Sequence, residues 1–372
     1  MALIKDQEQL NKICYLISEK KIVAIDTEFI RETTYLPILC LIQVDIEGEC
    51  FLIDALSALD LSCFFKILND EKIIKIFHSS RQDLEVFYQN FSAQISPKSI
   101  IDTQIMSAFC GYGLTVSYSA LVKTLLDVDV VKDLQRSDWQ ARPLSDEQIN
   151  YAKIDVLYLK PIYEILSKKL KDDGKLDWAY EEMDMNIRKV LENDDLTKKF
   201  SFFNQSKDYI QNIKLLTKWR DDKARKINVP RGFILKDEIL DRIAFYNPQD
   251  LEHLDKCGFK TRILNEDIKS EILNLLQNKT DEVDFNIDDY QRSSNRITQE
   301  QKDLYKQTKL LLQEKAAHYQ ISPELIINQN NLSHLAFGYK KISDVLPSWR
   351  YEVFGKSLEQ LIINYNDKND EE

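Results

Sequence analysis

A chain of 372 residues, 44% of them hydrophobic, is long enough for two or three domains with ordinary buried cores. Its 61 acidic and 50 basic side chains leave a formal net charge of −11, which argues against a surface coated for bulk nucleic-acid binding but not against one basic groove. No apolar run approaches the roughly 18 residues that cross a bilayer, and the opening MALIKDQEQL carries charge where an export signal is apolar, so the expectation is a cytoplasmic protein with no membrane partner.

Three β-branched-rich runs come first, KIVAIDTEF, CLIQVDI and CFLIDA, and their quick succession predicts a three-stranded meander. LSCFFKILND has helical spacing, KIIKIFHSS returns to strand, RQDLEVFYQN to helix, and SIIDTQI supplies another short strand. Largely helical sequence follows to about Leu170. Strands interleaved with helices predict an α/β domain whose mixed sheet is covered by helices. LKDDGKLDWAYEEMDMNIRKVLEND then reads as an exposed connecting helix. Two helical segments, 206–280 and 296–368, each with the amphipathic runs of a small bundle, flank KTDEVDFNIDDYQRSSN, whose acidic, apolar-poor composition reads as a linker. The six cysteines (Cys14, Cys40, Cys50, Cys63, Cys110, Cys257) form no CxxC pair and sit mostly in apolar company, as reduced, buried cysteines do. Four histidines without paired spacing give a structural zinc site little support.

The acids that draw attention are Asp26 and Glu28, Asp83, and Asp155 with Tyr151 four residues before it. On a strand, Ile22, Ala24, Asp26 and Glu28 share one face, with Val23, Ile25, Thr27 and Phe29 on the other. Two acids so placed repel each other, and burial disfavours their charged forms, so the pair belongs at a solvated strand end or beside a cation. Asp83 falls in the first turn of a helix and, read alone, fits a cap better than a ligand. Ser145 and Gln148 match a capping box, and the helix they open puts Tyr151 and Asp155 on one face, with Ile154, Leu157 and Leu159 expected to pack inward. That Tyr and Asp need a polar or metallic partner; a tyrosine bonded to the core is the alternative.

Taken together, VAIDTEFIRETTYLPILCLIQV, IFHSSRQDLEVF and SDWQARPLSDEQINYAKIDVLYL resemble the three exonuclease motifs of the DEDD superfamily in its tyrosine-bearing branch, most closely those of ribonuclease D. WRDDKARKINVPRGFILKDEILDRIA is similar to the HRDC domain, and the segment from Gln299 to about Tyr365 resembles a second, diverged copy that lacks the NVP and ILKDE strings. The resemblance implies a ribonuclease H-like exonuclease domain over 1–200, a mixed sheet with flanking helices, followed by two all-α HRDC bundles over 206–280 and 296–368. It implies that Asp26, Glu28 and Asp155 hold one metal ion, and that Asp26 bridges to a second supported by Asp83. The ions are expected to be Mg²⁺ or Mn²⁺, about 3.5–4 Å apart. Tyr151 would orient the attacking water while remaining protonated.

The same resemblance implies a 3′→5′ exoribonuclease that trims tRNA precursors and other small structured RNAs, releasing nucleoside 5′-monophosphates; no signal for homo-oligomerisation is present, so a monomer is the default expectation. A DNA-directed exonuclease of the superfamily is the alternative, although no GxxxxGK[ST] loop or other helicase or polymerase motif accompanies it. A non-catalytic RNA-binding scaffold would have no reason to keep mutually repelling acids. Among the neighbours, His78 reads as a substrate contact or a loop-fixing hydrogen bond, Arg142 as a phosphate contact, Trp139 and Phe29 as packing, and Asp102 as structural. The basic run Lys218, Arg220, Lys223, Arg225, Lys226 and Arg231 reads as an RNA track or, because Asp221 and Asp222 interrupt it, a solvated helix face.

Overall fold

The computed structural model describes residues 3–130, 134, 137–192, 196–197, 200, 206–259, 267–279 and 298–370. α1 (Gln7–Lys20) precedes β1 (Ile22–Ile30), β2 (Ile38–Ile46) and β3 (Glu49–Asp54), the expected antiparallel meander. α2 (Ser62–Asn69) leads to β4 (Ile74–Phe77), and α3 (Arg81–Phe91) to β5 (Ile100–Asp102). The sheet order is β3-β2-β1-β4-β5, with β4 parallel to both β1 and β5, so the sheet is mixed. α4 (Thr103–Phe109), α5 (Tyr118–Leu126), α6 (Asp146–Leu157), α7 (Leu159–Asp172) and α8 (Leu176–Leu191) complete this half.

Alternation along β1 divides the core. Val23 and Ile25 enter an apolar cluster with α1, α2 and α3 (Leu10, Ile17, Phe64, Phe87), while Ala24 enters one with α4, α5, α7 and α8 (Phe109, Leu121, Leu166, Met183). α1 had no place in the sequence reading. The Asp6 carboxylate accepts from the Glu8 and Gln9 N–H groups, Lys21 ends the helix in the left-handed region, and Leu10, Ile13, Cys14 and Ile17 are its buried stripe. α8 corrects the expectation of an exposed connector. Ala179, Met183, Ile187 and Val190 recur at helical spacing and bury it against α3, α4 and β5.

The helical half begins with α9 (Lys207–Lys226), α10 (Arg231–Ile234), α11 (Asp237–Tyr246), α12 (Leu251–Lys256) and α13 (Asp267–Gln277), which close around their own core of Ile213, Leu216, Leu240 and Ile272. The expected linker lies, beyond Lys279, outside the described residues. α14 (Gln299–Tyr319), α15 (Pro323–Ile326), α16 (Gln329–Ala336), α17 (Ile342–Val345), a π turn (Tyr351–Gly355) and α18 (Lys356–Asp370) follow. Their core is not separate. Leu312, Ile326, Trp349 and Phe354 join the cluster built by α4, α5, α7 and α8. All six cysteines are free; Cys63 and Cys110 are half-buried and the other four buried. No helix among the described residues is long and apolar enough to cross a membrane.

Candidate active site

β1 pairs with β4 only as far as Ala24, so its second half runs past the end of β4. Asp26 and Glu28 lie on that overhang, still hydrogen-bonded to β2, where Asp26 faces Gln43 across the ladder and Glu28 faces Leu41. The register shifts between Glu28 and Phe29, a bulge of the kind that re-aims side chains beside a site. Phe29, on the far side of the strand, packs on the α1–α3 core as expected.

Asp83 arrives from α3, and the turn that launches α3 is held by another carboxylate. Asp102 accepts from Ser79 N–H (3.0 Å), Ser80 N–H (2.8 Å) and Ser80 Oγ–H (2.9 Å), and also caps α4 through Gln104 N–H (2.9 Å). Ser79 sits at φ 64°, a left-handed position that this ring of bonds maintains. Asp102 is thus structural, as the sequence suggested, and it fixes where Asp83 points. Asp83 in turn accepts from the Thr27 hydroxyl at 2.5 Å, a partner invisible in sequence because it comes from the opposite face of β1.

α6 supplies the last two groups. Its capping box forms as expected: Gln148 N–H donates to Ser145 Oγ, and Ser145 N–H donates to Gln148 Oε1. Of the residues expected to turn inward, Leu159 is buried but Ile154 and Leu157 are only half-buried, because α6 lies on β1, β2 and β3 through Gln148, Ala152 and Val156. That seating leaves Tyr151 and Asp155 at the overhang of β1. Burial and then the charge of Asp155 raise the pKa of the Tyr151 phenol, and its ring lies 6.0 Å from that of buried Trp139.

One oxygen each from Asp26, Glu28 and Asp155 lies within 4.8 Å of the others. Burial, then the charges of Asp83, Asp155 and Glu28, raise the Asp26 carboxyl well above the carboxylate range. Burial and the same neighbours push Glu28 up to about 9. Burial takes Asp83 and Asp155 to about 7, opposed by the hydroxyls of Thr27 and Tyr151 respectively. Carboxyls this crowded stay ionised together only if a cation is shared among them. Their hard oxygens suit a Mg²⁺- or Mn²⁺-like ion, so the residues present fit a divalent metal.

Beside the cluster lies a cavity of about 400 Å³ lined by Asp26, His78, Gln104, Tyr118, Tyr151 and Asp155. His78 lines it, but both ring nitrogens are engaged, Nδ1 with Thr103 Oγ1 (2.9 Å) and Nε2 with the Val116 carbonyl (3.0 Å). Burial lowers its pKa, and a neutral ring facing the Val116 carbonyl donates from Nε2, while Nδ1 lies against Thr103 Oγ1, whose hydroxyl also reaches the Phe77 carbonyl at 3.0 Å. Arg142 departs from its expected role. Nε and Nη2 grip Asp54 (3.0 and 2.6 Å), Nη2 also reaches the Cys40 carbonyl, and Nη1 bonds the carbonyls of Trp139 and Ala141. Five donors so engaged leave none for a phosphate; the side chain clamps the approach to α6 onto β2 and β3. Most of the basic run on α9 and at the start of α10 is likewise engaged. Arg220 is buried on Leu235 O and Asp237, Lys223 bonds Glu271, and Arg225 and Arg231 gather around Tyr35 and Asp221, leaving Lys218 and Lys226 exposed. Thr27 and Tyr118 had no signal in the sequence, since each matters through a partner distant in the chain.

Comparisons with known proteins agree with this geometry. Residues 1–171 match the 3′-5′ exonuclease family and residues 211–276 match the HRDC domain. Over 97% of its length the chain is 33% identical to ribonuclease D of Bartonella henselae, covering 90% of that protein. It is 32% identical to ribonuclease D of Haemophilus influenzae, with 98% of this chain and 89% of that one aligned. The crystal structure of Escherichia coli RNase D, described as an exoribonuclease involved in structured RNA processing, superposes with a TM-score of 0.81 at 28% identity, covering 98% of this chain and 99% of that one. The exonuclease sheet with its flanking helices, the HRDC region behind it and the near full-length identity lead to one assignment: the chain belongs to the ribonuclease D family of 3′-5′ exoribonucleases.

Proposed function

We propose that the protein removes nucleotides stepwise from the 3′ ends of tRNA precursors and other small structured RNAs, releasing nucleoside 5′-monophosphates. The observation that carries this reading is the approach of Asp26, Glu28 and Asp155 within 4.8 Å, with Tyr151 one helical turn before Asp155 on α6. Those three carboxylates would hold one divalent ion, Mg²⁺ or Mn²⁺, and Asp26 with Asp83 would hold a second. Such ions supply the Lewis acidity and charge neutralisation that phosphodiester hydrolysis requires. The protein's own groups do the positioning. Burial raises the pKa of Tyr151, so its phenol stays protonated and can orient a water in line with the scissile phosphate. The charge of Asp155, one turn along α6, also favours the protonated phenol. His78, with both nitrogens engaged, shapes the cavity wall that receives the terminal nucleotide.

The domain plan we adopt is an exonuclease over 1–200 and HRDC copies over 206–280 and 296–368. A shared order of elements supports the second copy. A 20-residue α9 and a 21-residue α14 are each followed by a four-residue helix, α10 and α15. Both short helices end on an extended residue, Leu235 at φ −159° and Ile327 at φ −157°. The protein acts as a cytoplasmic monomer in this reading. Release of labelled nucleotide from a 3′-labelled tRNA precursor and from single-stranded DNA, with and without Mg²⁺, tests it. Mg²⁺-dependent mononucleotide release from the RNA is expected. Preference for DNA would transfer the reading to a DNA-directed exonuclease.

A further inference from the structure

α6 and α7 form one helical course broken at Tyr158 (φ −101°, ψ 0°). In an unbroken helix the Tyr158 N–H would donate to the Ile154 carbonyl, four residues back. Here the Tyr118 hydroxyl, reaching across from α5, stands between them. It donates to Ile154 O at 2.7 Å and accepts from Tyr158 N–H at 3.1 Å, an N–H that also reaches Val156 O, so one side chain engages both halves of the missing bond. The break lets α6 lie over β1–β3 while α7 turns toward α4 and α5. Ile154 immediately precedes Asp155. Tyr118 lines the cavity beside the carboxylates, with its ring edge-on to His78 at 5.8 Å.

We propose that Tyr118 is a positioning residue of the nuclease centre: its hydroxyl, spliced between Ile154 and Tyr158, sets the last turn of α6 and so aims Asp155 at Asp26 and Glu28. The inference rests on the nuclease reading above. Tyr118→Phe keeps the ring and removes only the splice, which frees Ile154 O and Tyr158 N–H to close on each other and rotate that turn.

The test uses the full chain. Steady-state hydrolysis of a 3′-labelled single-stranded RNA is measured alongside thermal stabilisation by Mn²⁺ alone. Tyr118→Phe is expected to lower kcat about ten- to a hundred-fold, the usual range for groups that orient metal ligands, with KM unchanged. The Mn²⁺ concentration giving half-maximal thermal stabilisation should rise over a similar range. Ile162→Val, a packing change within α7, should lower Tm without moving that midpoint. Wild-type kcat and an unmoved Mn²⁺ midpoint in Tyr118→Phe, whatever its Tm, would overturn the proposal. Absence of any Mn²⁺ response and of hydrolysis in the wild-type protein would overturn the nuclease reading and this inference with it.

Discussion

Among the described residues, region 298–370 meets the nuclease domain through buried rings, whereas region 206–279 meets it at Tyr35, set among charges. In the first, Trp349 is 3% exposed and packs on Phe109 (ring centroids 5.2 Å apart) and parallel to Trp178 (5.4 Å). Arg350 lies over the Trp349 ring and pairs with Glu182 at 2.6 Å. In the second, Tyr35 of the β1–β2 loop donates to Asp221 at 2.7 Å and accepts from Arg225 and Arg231 at 2.9 and 3.1 Å. Both guanidinium groups also lie over its ring. A cavity of about 580 Å³ lined by Glu85, Lys189, Asp221 and Arg231 opens beside this contact. Buried aromatic area is indifferent to salt, while partly exposed ion pairs are screened. One helical region therefore shares the fate of the nuclease core, and the other can come away from it.

The largest expected effect sets the chemical baseline against which the two regions are compared. Asp155→Asn should cut metal-dependent nucleotide release about a thousand-fold or more, a loss of several kcal/mol of transition-state stabilisation. Tm in the metal-free protein should stay level or rise as repulsion is relieved, and full activity would sink the ligand assignment. Next, Trp349→Ala should cost about 3–5 kcal/mol. Denaturant melts should show the nuclease core and region 298–370 unfolding together at lower denaturant; a nuclease domain of unchanged stability would break the comparison. Tyr35→Ala, by contrast, should remove about 1–3 kcal/mol of docking and leave the melt of the nuclease domain unchanged. Limited proteolysis between the regions should accelerate, and 1 M salt should reproduce the effect in the wild type. Equal protection at high salt would show that apolar contact governs both regions.

The smallest effect is one of sign. In the metal-free protein, carboxyls with raised folded-state pKa values favour the protonated state. Their contribution is fully present below the unfolded value near 4 and is lost as pH rises through about 7 for Asp83 and Asp155 and about 9 for Glu28. Asp221 is the reverse: hydrogen bonds from Tyr35 and Arg231 outweigh burial and lower its pKa, so its contribution is lost only as pH falls below the ordinary carboxylate range. Tm of the metal-free nuclease core should therefore fall between pH 5 and 9, while docking of region 206–279 holds there and weakens in acid. Parallel pH profiles for the two would contradict these assignments.

Much of the site was legible before folding was known because its signals are local. Alternation placed Asp26 and Glu28 on one strand face, and Ser145 with Gln148 announced the helix that carries Tyr151 and Asp155. Asp83 could not be separated from a helix cap by sequence, since its ligand-like setting depends on Thr27 and on a turn held by Asp102. Arg142 misled for a related reason: a basic residue beside a catalytic helix suggests phosphate until Asp54 is seen beneath it. α8 looked exposed because its charges outnumber its apolar stripe, and the stripe shows only against α3, α4 and β5. The seam of Phe109, Trp178 and Trp349 joins distant parts of the chain, and no local pattern encodes it.

Asp102 has a mechanical consequence. One buried carboxylate is the common anchor of two helix starts, α3 through Ser79 and Ser80 and α4 through Gln104. Neither helix can slide or tilt at that end without breaking bonds to the other, so Asp83 and the Gln104 side of the cavity form a single stiff wall. The facing segment is tied to that wall: the Val116 carbonyl accepts from His78 Nε2 and Gln104 Nε2, each at 3.0 Å. Amide exchange should find the Ser80 and Gln104 amides, both held by the one carboxylate, opening together.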